Sequence, residues 1–275
     1  MRRAILAACA AFTLFAPLAA AAQEGQVERF NVPLTDPSRP VRLEVRLVSG
    51  GITVETGGGS QVVVEARSAG GARRGKPDAG EGRGGMRRIP LSGFRLEIEE
   101  KDNLVEIGSS PTAAVHLTVK VPEQTSVKLS TVNAGDIKVS GVRGDHEVSN
   151  VNGAIELRGV AGSVVAHTIN GPVVVVLTGV TPGKAMAFSS LNGNIDVTLP
   201  AGTKADLRME SENGEIYTDF DVATRQRTPG AQVERSGGRY RLTVERAVFG
   251  TINGGGPEMH FKTFNGDVHL RRAGG

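Results

Sequence analysis

The chain has 275 residues with 32 basic and 29 acidic side chains, so its formal net charge is only +3. A chain this close to neutrality has no overall positive field, which counts against a general nucleic-acid partner. Tryptophan is absent and aromatic residues make up 4% of the chain, which counts against sites that stack sugars or single-stranded bases on aromatic rings.

The first 22 residues predict a secretory signal peptide. A basic start is followed by an apolar stretch over residues 4–19 and by three alanines that end at Ala22. We expect cleavage after Ala22 and export to the periplasm or cell surface of a bacterium, with no transmembrane segment left in the mature chain. Cys9, the single cysteine, leaves with the signal. The alternative is a lipoprotein anchored through Cys9.

The mature chain, residues 23–275, is expected to form a single β-repeat domain. Residues 41–48 alternate apolar and charged side chains, as half-buried strands do. Residues 67–93 break this pattern with seven basic and two acidic residues among many glycines. They predict a disordered basic insertion, whose functional alternative is an arm that meets anionic lipid or polysaccharide.

A short apolar pattern recurs from residue 131 onward. The first apolar residues after successive turns are 18, 18, 22 and 21 residues apart, and a second apolar position usually follows two residues later. A separation of two places both side chains on one face of a strand, so we predict two inward-facing columns. The predicted core residues are Ile137, Val139, Ile155, Leu157, Val173, Val175, Ile195, Val197 and Ile216.

Each repeat is preceded by a turn that contains asparagine and glycine. The predicted turn residues are Asn133, Gly135, Asn152, Gly153, Asn170, Gly171, Asn192, Gly193, Asn213, Gly214, Asn265 and Gly266. Asn-Gly can form a tight hairpin, which would give an antiparallel β-meander or sandwich. It can also form the corner of a β-solenoid. The repeat length and the columns in phase favour the second, so we predict an all-β fold, a β-solenoid or β-helix-like stack of 18–22-residue repeats.

Roughly residues 41–270, interrupted by the basic insertion, resemble the bacterial adhesin-like β-strand-repeat family, whose function is unknown. The resemblance rests on a strand that ends at Pro122, on recurring Ser/Thr-x-Asn-Gly-x-Ile-x-Val units, and on a closing Gly-Gly-Gly-Pro run before Asn265. It implies export and a solenoid-like fold, and it brings no catalytic residues.

No catalytic constellation stands out in the sequence. The five histidines are scattered and lack the spacing of zinc ligands, and no nucleophile or phosphate-loop motif is present. Asp196 and Glu215, expected on neighbouring repeats, are the nearest approach to the carboxylate pair of a glycosidase. We therefore expect no catalytic, cofactor-binding or metal site and no cofactor.

The sequence thus predicts a non-enzymatic, exported cell-envelope protein that serves as an adhesin-like binding or scaffold module. Its expected partner is an envelope protein or polysaccharide, and its oligomeric state is left open. Two alternatives stay open as well. One is a carbohydrate-active β-helix enzyme that acts on acidic polysaccharide, and the other is an envelope signalling or assembly module.

Overall fold

The computed structural model describes residues 27–57, 59–68, 95–110, 114–133, 135–225, 231–236, 239–244 and 247–274. Every regular element in these ranges is a β-strand, which confirms the all-β prediction for the described residues. The predicted signal peptide and residues 69–93 of the predicted insertion lie outside them. Arg67 and Ser68, predicted to begin the insertion, instead complete a strand.

The strands in chain order are β1 (Val27–Pro33), β2 (Val41–Ser49), β3 (Ile52–Thr56), β4 (Gln61–Ser68), β5 (Leu96–Lys101), β6 (Leu104–Ser109), β7 (Val115–Val121), β8 (Thr125–Asn133), β9 (Ile137–Ser140), β10 (Arg143–Asn152), β11 (Ile155–Asn170), β12 (Val173–Val180), β13 (Met186–Asn192), β14 (Ile195–Leu199), β15 (Ala205–Asn213), β16 (Ile216–Thr218), β17 (Ala223–Arg225), β18 (Ala231–Ser236), β19 (Arg239–Val244), β20 (Ala247–Ile252), β21 (Glu258–Asn265) and β22 (Val268–Arg272).

Most strands belong to two parallel ladders. The long-strand ladder runs β6, β2, β8, β10, β11, β13, β21, β15. The short-strand ladder runs β7, β3, β9, β11, β12, β14, β22, β16. Strand β11 belongs to both, because the chain bends at Gly159, which has a φ of 63°. A left-handed backbone of this kind favours glycine, which has no Cβ to clash.

Antiparallel strands flank both ladders. At one end, β5 pairs with β6, while β4 pairs with β7 and β1 with β4. At the other end, β20 pairs with β15 and β17 with β20. Strands β18 and β19 form a separate hairpin. Flanking strands cover open ladder edges, which otherwise pair with other chains.

The order of strands in the stack differs from their order in the sequence. Because β22 pairs with both β14 and β16, Val268 lies between Ile195 and Ile216 in the short-strand ladder. Sequence order had placed Ile216 directly after Ile195, and that expectation was wrong. Ile216 instead occupies the last position of its column and is only half-buried.

The two ladders share one apolar core. Eight of the nine predicted core residues are buried, and Ile216 is the exception. The long-strand ladder contributes its own inward columns, in which Phe188 and Phe261 stack with ring centroids 5.0 Å apart. Such apolar columns are expected on parallel strands, because the side chains on their inner face are packed in the protein interior and do not contact water.

The corners that join the ladders require glycine because successive corners nearly touch. A Cβ atom at Gly193 would lie 2.1 Å from the carbonyl oxygen of Gly171. The backbone is hydrogen-bonded through the same corner, since Gly193 N–H donates to the Asn265 carbonyl at 2.9 Å. Glycine at this position therefore serves close approach between neighbouring repeats.

We expect Gly193→Ala to lower the free energy of unfolding by at least about 2 kcal/mol. To make room for the new Cβ, either the corner backbone must move or its hydrogen bonds must lengthen. Gly202→Ala is the matched control, since a Cβ there meets nothing within 4 Å. Urea unfolding of both variants checks this. Equal midpoints for the two variants would contradict the account of the corner.

One histidine lies in the core. His146 is buried and occupies an inward column between Val127 and Val164. Its Nε2 donates to the Ala161 carbonyl at 3.2 Å, and its Nδ1 is buried with no hydrogen-bond partner among the described residues. Burial lowers the pKa of His146, although the Ala161 carbonyl and the Asp145 charge oppose that shift.

Because the folded state binds this proton more weakly than the unfolded state, stability should fall as the pH falls below the ordinary histidine pKa of about 6.5. The loss is at most about 1.4 kcal/mol per pH unit for one group. We expect His146→Leu to flatten this part of the pH dependence between about pH 7.5 and 5. Parallel slopes for wild type and variant in chemical unfolding would show that His146 does not titrate in this way.

Candidate functional site

The two outer faces of the stack differ in how their charged and apolar side chains are distributed. On the short-strand ladder, the outward side chains form cross-strand ion pairs, such as Lys138 with Glu156 at 3.8 Å and Arg271 with Asp196 at 2.9 Å. These partners are exposed or half-buried, so each pair adds little stability. This face has the character of an ordinary solvated surface.

The outer face of the long-strand ladder carries a continuous apolar row. The ladder register places one outward apolar residue from each of six neighbouring strands side by side, and the seventh strand contributes Glu212. The apolar row consists of Val48, Val132, Val151, Ile169, Leu191 and Phe264. Neighbouring members are about 4.8 Å apart, the spacing of hydrogen-bonded strands.

Several members of this row are well exposed, with 45% of Leu191 and 47% of Phe264 accessible to solvent. Single exposed apolar residues are normal, but apolar residues side by side on six strands form a candidate interaction surface, although Val151 and Ile169 within the row are half-buried. The apolar row is therefore the first component of the candidate site.

The second component is an uncharged area beside the middle of the row. Strands β11 and β13 present six outward residues there, and none of them is an acid, lysine or arginine. We call these residues the central patch: Val165, His167, Ile169, Ala187, Ser189 and Leu191. Val165 is 47% exposed, and the His167 ring and the Ser189 hydroxyl are hydrogen-bonded at 2.7 Å.

Charged residues border the central patch on both sides. On one side Lys128 pairs with Glu147 at 3.1 Å. On the other side Lys262 pairs with Glu210 at 3.4 Å. Burial raises the pKa of Glu210, but the hydrogen bond and charge of Arg208, with Lys262 and His260, outweigh burial and leave it lowered. An uncharged centre inside a charged rim is the usual layout of a protein interface.

Asparagine amides line the edge of the face next to the apolar row. Asn170 donates to Asn152 at 2.9 Å, Asn192 to Asn170 at 2.8 Å, Asn265 to Asn192 at 2.7 Å, and Asn213 to Asn265 at 3.0 Å. Each amide thus binds the equivalent amide of the next repeat. This asparagine ladder fixes the corner and gives the apolar row a polar border.

Buried polar side chains on the inner side of the same strands hold the glycine corners. Thr168 donates to the Gly153 carbonyl at 3.0 Å, Ser190 to Gly171 at 2.9 Å, and Thr263 to Gly193 at 2.9 Å. Without these donors the corner carbonyls would be buried without a side-chain partner, which costs about 1–3 kcal/mol each.

These contacts assign a role to each residue of the Ser/Thr-x-Asn-Gly unit. In the unit Ser190–Gly193 the hydroxyl holds a neighbouring corner, the asparagine joins the ladder, and the glycine allows close approach. The x residue, Leu191, points outward into the apolar row. This outward position was not predicted from the sequence, although it is apolar in most of the repeats.

The structure places the predicted turn residues at the corners, with some differences between them. The asparagine ladder contains Asn152, Asn170, Asn192, Asn213 and Asn265. Asn133 ends β8, and its backbone carbonyl accepts from Gly50 N–H at 2.9 Å. The six predicted glycines all approach a neighbouring corner within 2.4 Å of an added Cβ: Gly135, Gly153, Gly171, Gly193, Gly214 and Gly266.

Asp196 and Glu215 do not lie on neighbouring repeats. Strand β22 separates their strands, and Asp196 pairs with Arg271 of that strand. Glu215 instead accepts from the Tyr217 hydroxyl. The expectation of adjacency was wrong because the final strand, β22, inserts between β14 and β16. Among the described residues, no group of three or more His, Cys, Asp or Glu side chains could hold a metal ion.

A cleft of about 460 Å³ lies away from the apolar row and spans several turns of the chain. Val180, Pro182, Pro200 and Pro257 contribute to its walls, and Lys204 is its charged member. Its lining contains no carboxylate, so it lacks the acid pair that glycoside hydrolysis needs.

Within the described residues, no helix is long and apolar enough to span a membrane.

Three solved structures resemble the chain over 90% of its length. One is described as a "putative cell adhesion protein" from Clostridium sporogenes, with 12% identity, a TM-score of 0.48 and 99% of its own chain covered. The others are described as a "putative adhesin" from Bacteroides fragilis, with 9% identity and a TM-score of 0.30, and from Parabacteroides merdae, with 8% and 0.27. Each is covered over 97% of its own chain.

No family model and no curated protein matches the chain.

Two substitutions on β13 separate the site from the core. Leu191→Ser removes an exposed member of the apolar row, and we expect it to change the free energy of unfolding by no more than about 0.5 kcal/mol. Phe188→Ala empties a fully buried position and should cost about 3–5 kcal/mol. Thermal melting checks both. A large loss for Leu191→Ser would mean that the row serves folding rather than binding.

Proposed function

We propose that this protein is a non-enzymatic, exported binding module of the bacterial cell envelope, with the apolar row and the central patch as its binding surface. The observation that carries the proposal is a feature of the long-strand face: an apolar row lies beside an uncharged area, and the cross-strand ion pairs of this face lie on either side of that area. Burying that apolar area against a partner removes it from water at no cost in unpaired charge.

The scaffold that we propose is a β-solenoid of the adhesin-like repeat type. In-register parallel ladders and hydrogen-bonded corners support it, since they repeat the same contacts from one strand pair to the next. Such a stack presents outward residues at fixed spacing on a rigid base. A rigid scaffold suits a binding module, because the protein then loses little conformational entropy when it binds a partner.

A protein partner fits this surface better than a polysaccharide. Phe264 is the one aromatic residue in the apolar row, so a sugar chain would find little to stack on. Aliphatic side chains such as Ile169 and Leu191 instead match the packed centre of a protein–protein interface. The lining of the 460 Å³ cleft contains no carboxylate, so this cleft lends no support to the enzymatic alternative.

The test is site-specific photocrosslinking in the native envelope. A photoreactive residue at Val165 or Leu191 should give one discrete crosslinked product, because both side chains lie in the proposed surface. The control is Val174, which points outward on the opposite face. Equal products from all three positions, or none from the first two, would contradict the proposed surface.

Export is tested in the same cells by the mass of the mature chain. We expect it to begin at Gln23, whereas a lipid-modified form would begin at Cys9. A protein that keeps Met1 would contradict export.

A further inference from the structure

Asn-Gly is the dipeptide in which asparagine most easily loses its side-chain amide. Hydroxide removes the proton of the glycine N–H, and the nitrogen then attacks Cγ of the asparagine, so that a carbon–nitrogen bond forms and ammonia leaves. Water opens the resulting cyclic imide at either carbonyl, which gives aspartate or isoaspartate. Glycine permits the attack because it has no side chain in the way. The chain has six such pairs, which begin at Asn152, Asn170, Asn192, Asn213, Asn253 and Asn265.

The pairs in the middle of the stack are protected twice. The N–H of Gly171 donates to the Asn192 carbonyl at 3.0 Å, and the glycines of the two neighbouring interior pairs make equivalent bonds. The Asn170 amide is held at both ends, since it donates to Asn152 at 2.9 Å and accepts from Asn192 at 2.8 Å. Each of these bonds must break before the nitrogen can attack, and one bond of ordinary net strength slows such a process about fivefold.

Asn213 lies at the end of the asparagine ladder and lacks most of this protection. Its amide donates to Asn265 at 3.0 Å, but no described residue donates to its side-chain oxygen. The N–H of Gly214 likewise has no acceptor within the described part of the chain. Strands β15 and β16 are the last of their parallel ladders, and β20 covers β15 only as far as Glu210. Both Asn213 and Gly214 are therefore exposed.

The other two pairs are restrained by their side chains. The Asn253 amide donates to two backbone carbonyls, at 2.7 and 3.0 Å. The Asn265 amide donates to Asn192 at 2.7 Å and accepts from Asn213. Of the six pairs, all of which lie within the described residues, the one that begins at Asn213 has the only asparagine amide with a single hydrogen bond.

We propose that Asn213 is a modification site of the folded chain, which converts to aspartate or isoaspartate at close to the rate of an unfolded chain while the fold protects the other five pairs. The substrate is the chain's own Asn213–Gly214 peptide, and the co-reactant is water. The inference is independent of the proposed function, because it rests on the asparagine ladder and not on a partner.

Conversion should loosen the last coil of the stack. Aspartate and isoaspartate have no side-chain N–H, so Asn265 loses its donor. Isoaspartate also adds a methylene group to the backbone of a corner without spare room, since a Cβ at Gly214 would lie 2.0 Å from the Gly266 carbonyl oxygen. Strand β16 leaves this corner, has three residues and pairs with β22 alone among the described strands. We therefore expect β16 to detach from the modified chain.

The experiment measures the rate at each pair in the folded mature chain and in the same chain unfolded in guanidinium chloride, at one mildly alkaline pH. Trypsin places the six pairs in six different peptides, so the mass of each peptide reports conversion and its fragments locate the changed residue. The carboxylates of Glu212 and Glu215 disfavour loss of the Gly214 proton in both states. The ratio of the unfolded to the folded rate removes such effects of neighbouring residues.

We expect folding to slow the reaction about fivefold at Asn213, where one hydrogen bond must break, and about a hundredfold at Asn170 and Asn192, where three must break. Equal ratios at Asn213 and Asn192 would overturn the proposal. A smaller ratio at Asn253 or Asn265 than at Asn213 would overturn it as well.

Hydrogen exchange of the peptide that contains β16 tests the consequence. Aged wild-type chain should exchange this peptide faster than fresh chain, because a detached strand opens locally. Aged Asn213→Gln should not, since glutamine keeps a side-chain amide and cyclises more slowly through its larger ring. Peptides from β12 and β14 are the internal controls and should exchange alike in every sample. Unchanged exchange of β16 in fully converted wild type would contradict the loosening.

Discussion

The close contact between successive glycine corners is the constraint on which the rest of the structure depends. Hydroxyls such as those of Thr168 and Ser190 donate to the carbonyl of a neighbouring corner, and that corner approaches so closely that a Cβ would clash. These contacts set the register of every strand that leaves the corner. A one-residue slip would move inward side chains to the outer face, so fixing the corner fixes both the core and the surface.

The strand register alone determines which side chains lie next to one another on the outer face. Once Asn170 and Asn192 are hydrogen-bonded side by side, the residues before them, Ile169 and Leu191, must also lie side by side and outward. The corner chemistry thus connects the repeat pattern to the proposed binding surface.

Much of the fold could be predicted from the sequence because local signals and global packing agree in the repeats. Apolar residues two apart, as at Ile155 and Leu157, indicate one inward face whatever the topology. The position of β21 and β22 could not be predicted, because nothing in their local sequence indicates between which strands of the ladders they lie. That insertion explains the error about Ile216 and about Asp196 with Glu215.

The site was harder to predict than the core. The outward position before each asparagine is apolar in most repeats, but an exposed apolar residue becomes informative only when its neighbours in space are known. The burial of His146 could not be predicted either, because it depends on the neighbouring strands and not on the residues next to His146 in the sequence.

The register is tested most directly by engineered disulfides, since the chain from Gln23 onward contains no cysteine. Asp196 and His269 are adjacent partners in the short-strand ladder, and Tyr217 lies one strand beyond His269. Neighbouring strands are about 4.8 Å apart, within disulfide reach, and alternate strands are not. Intact mass after oxidation should show that Asp196→Cys with His269→Cys loses two hydrogens while Asp196→Cys with Tyr217→Cys keeps both thiols. The reverse result would contradict the stack order and the surface built on it.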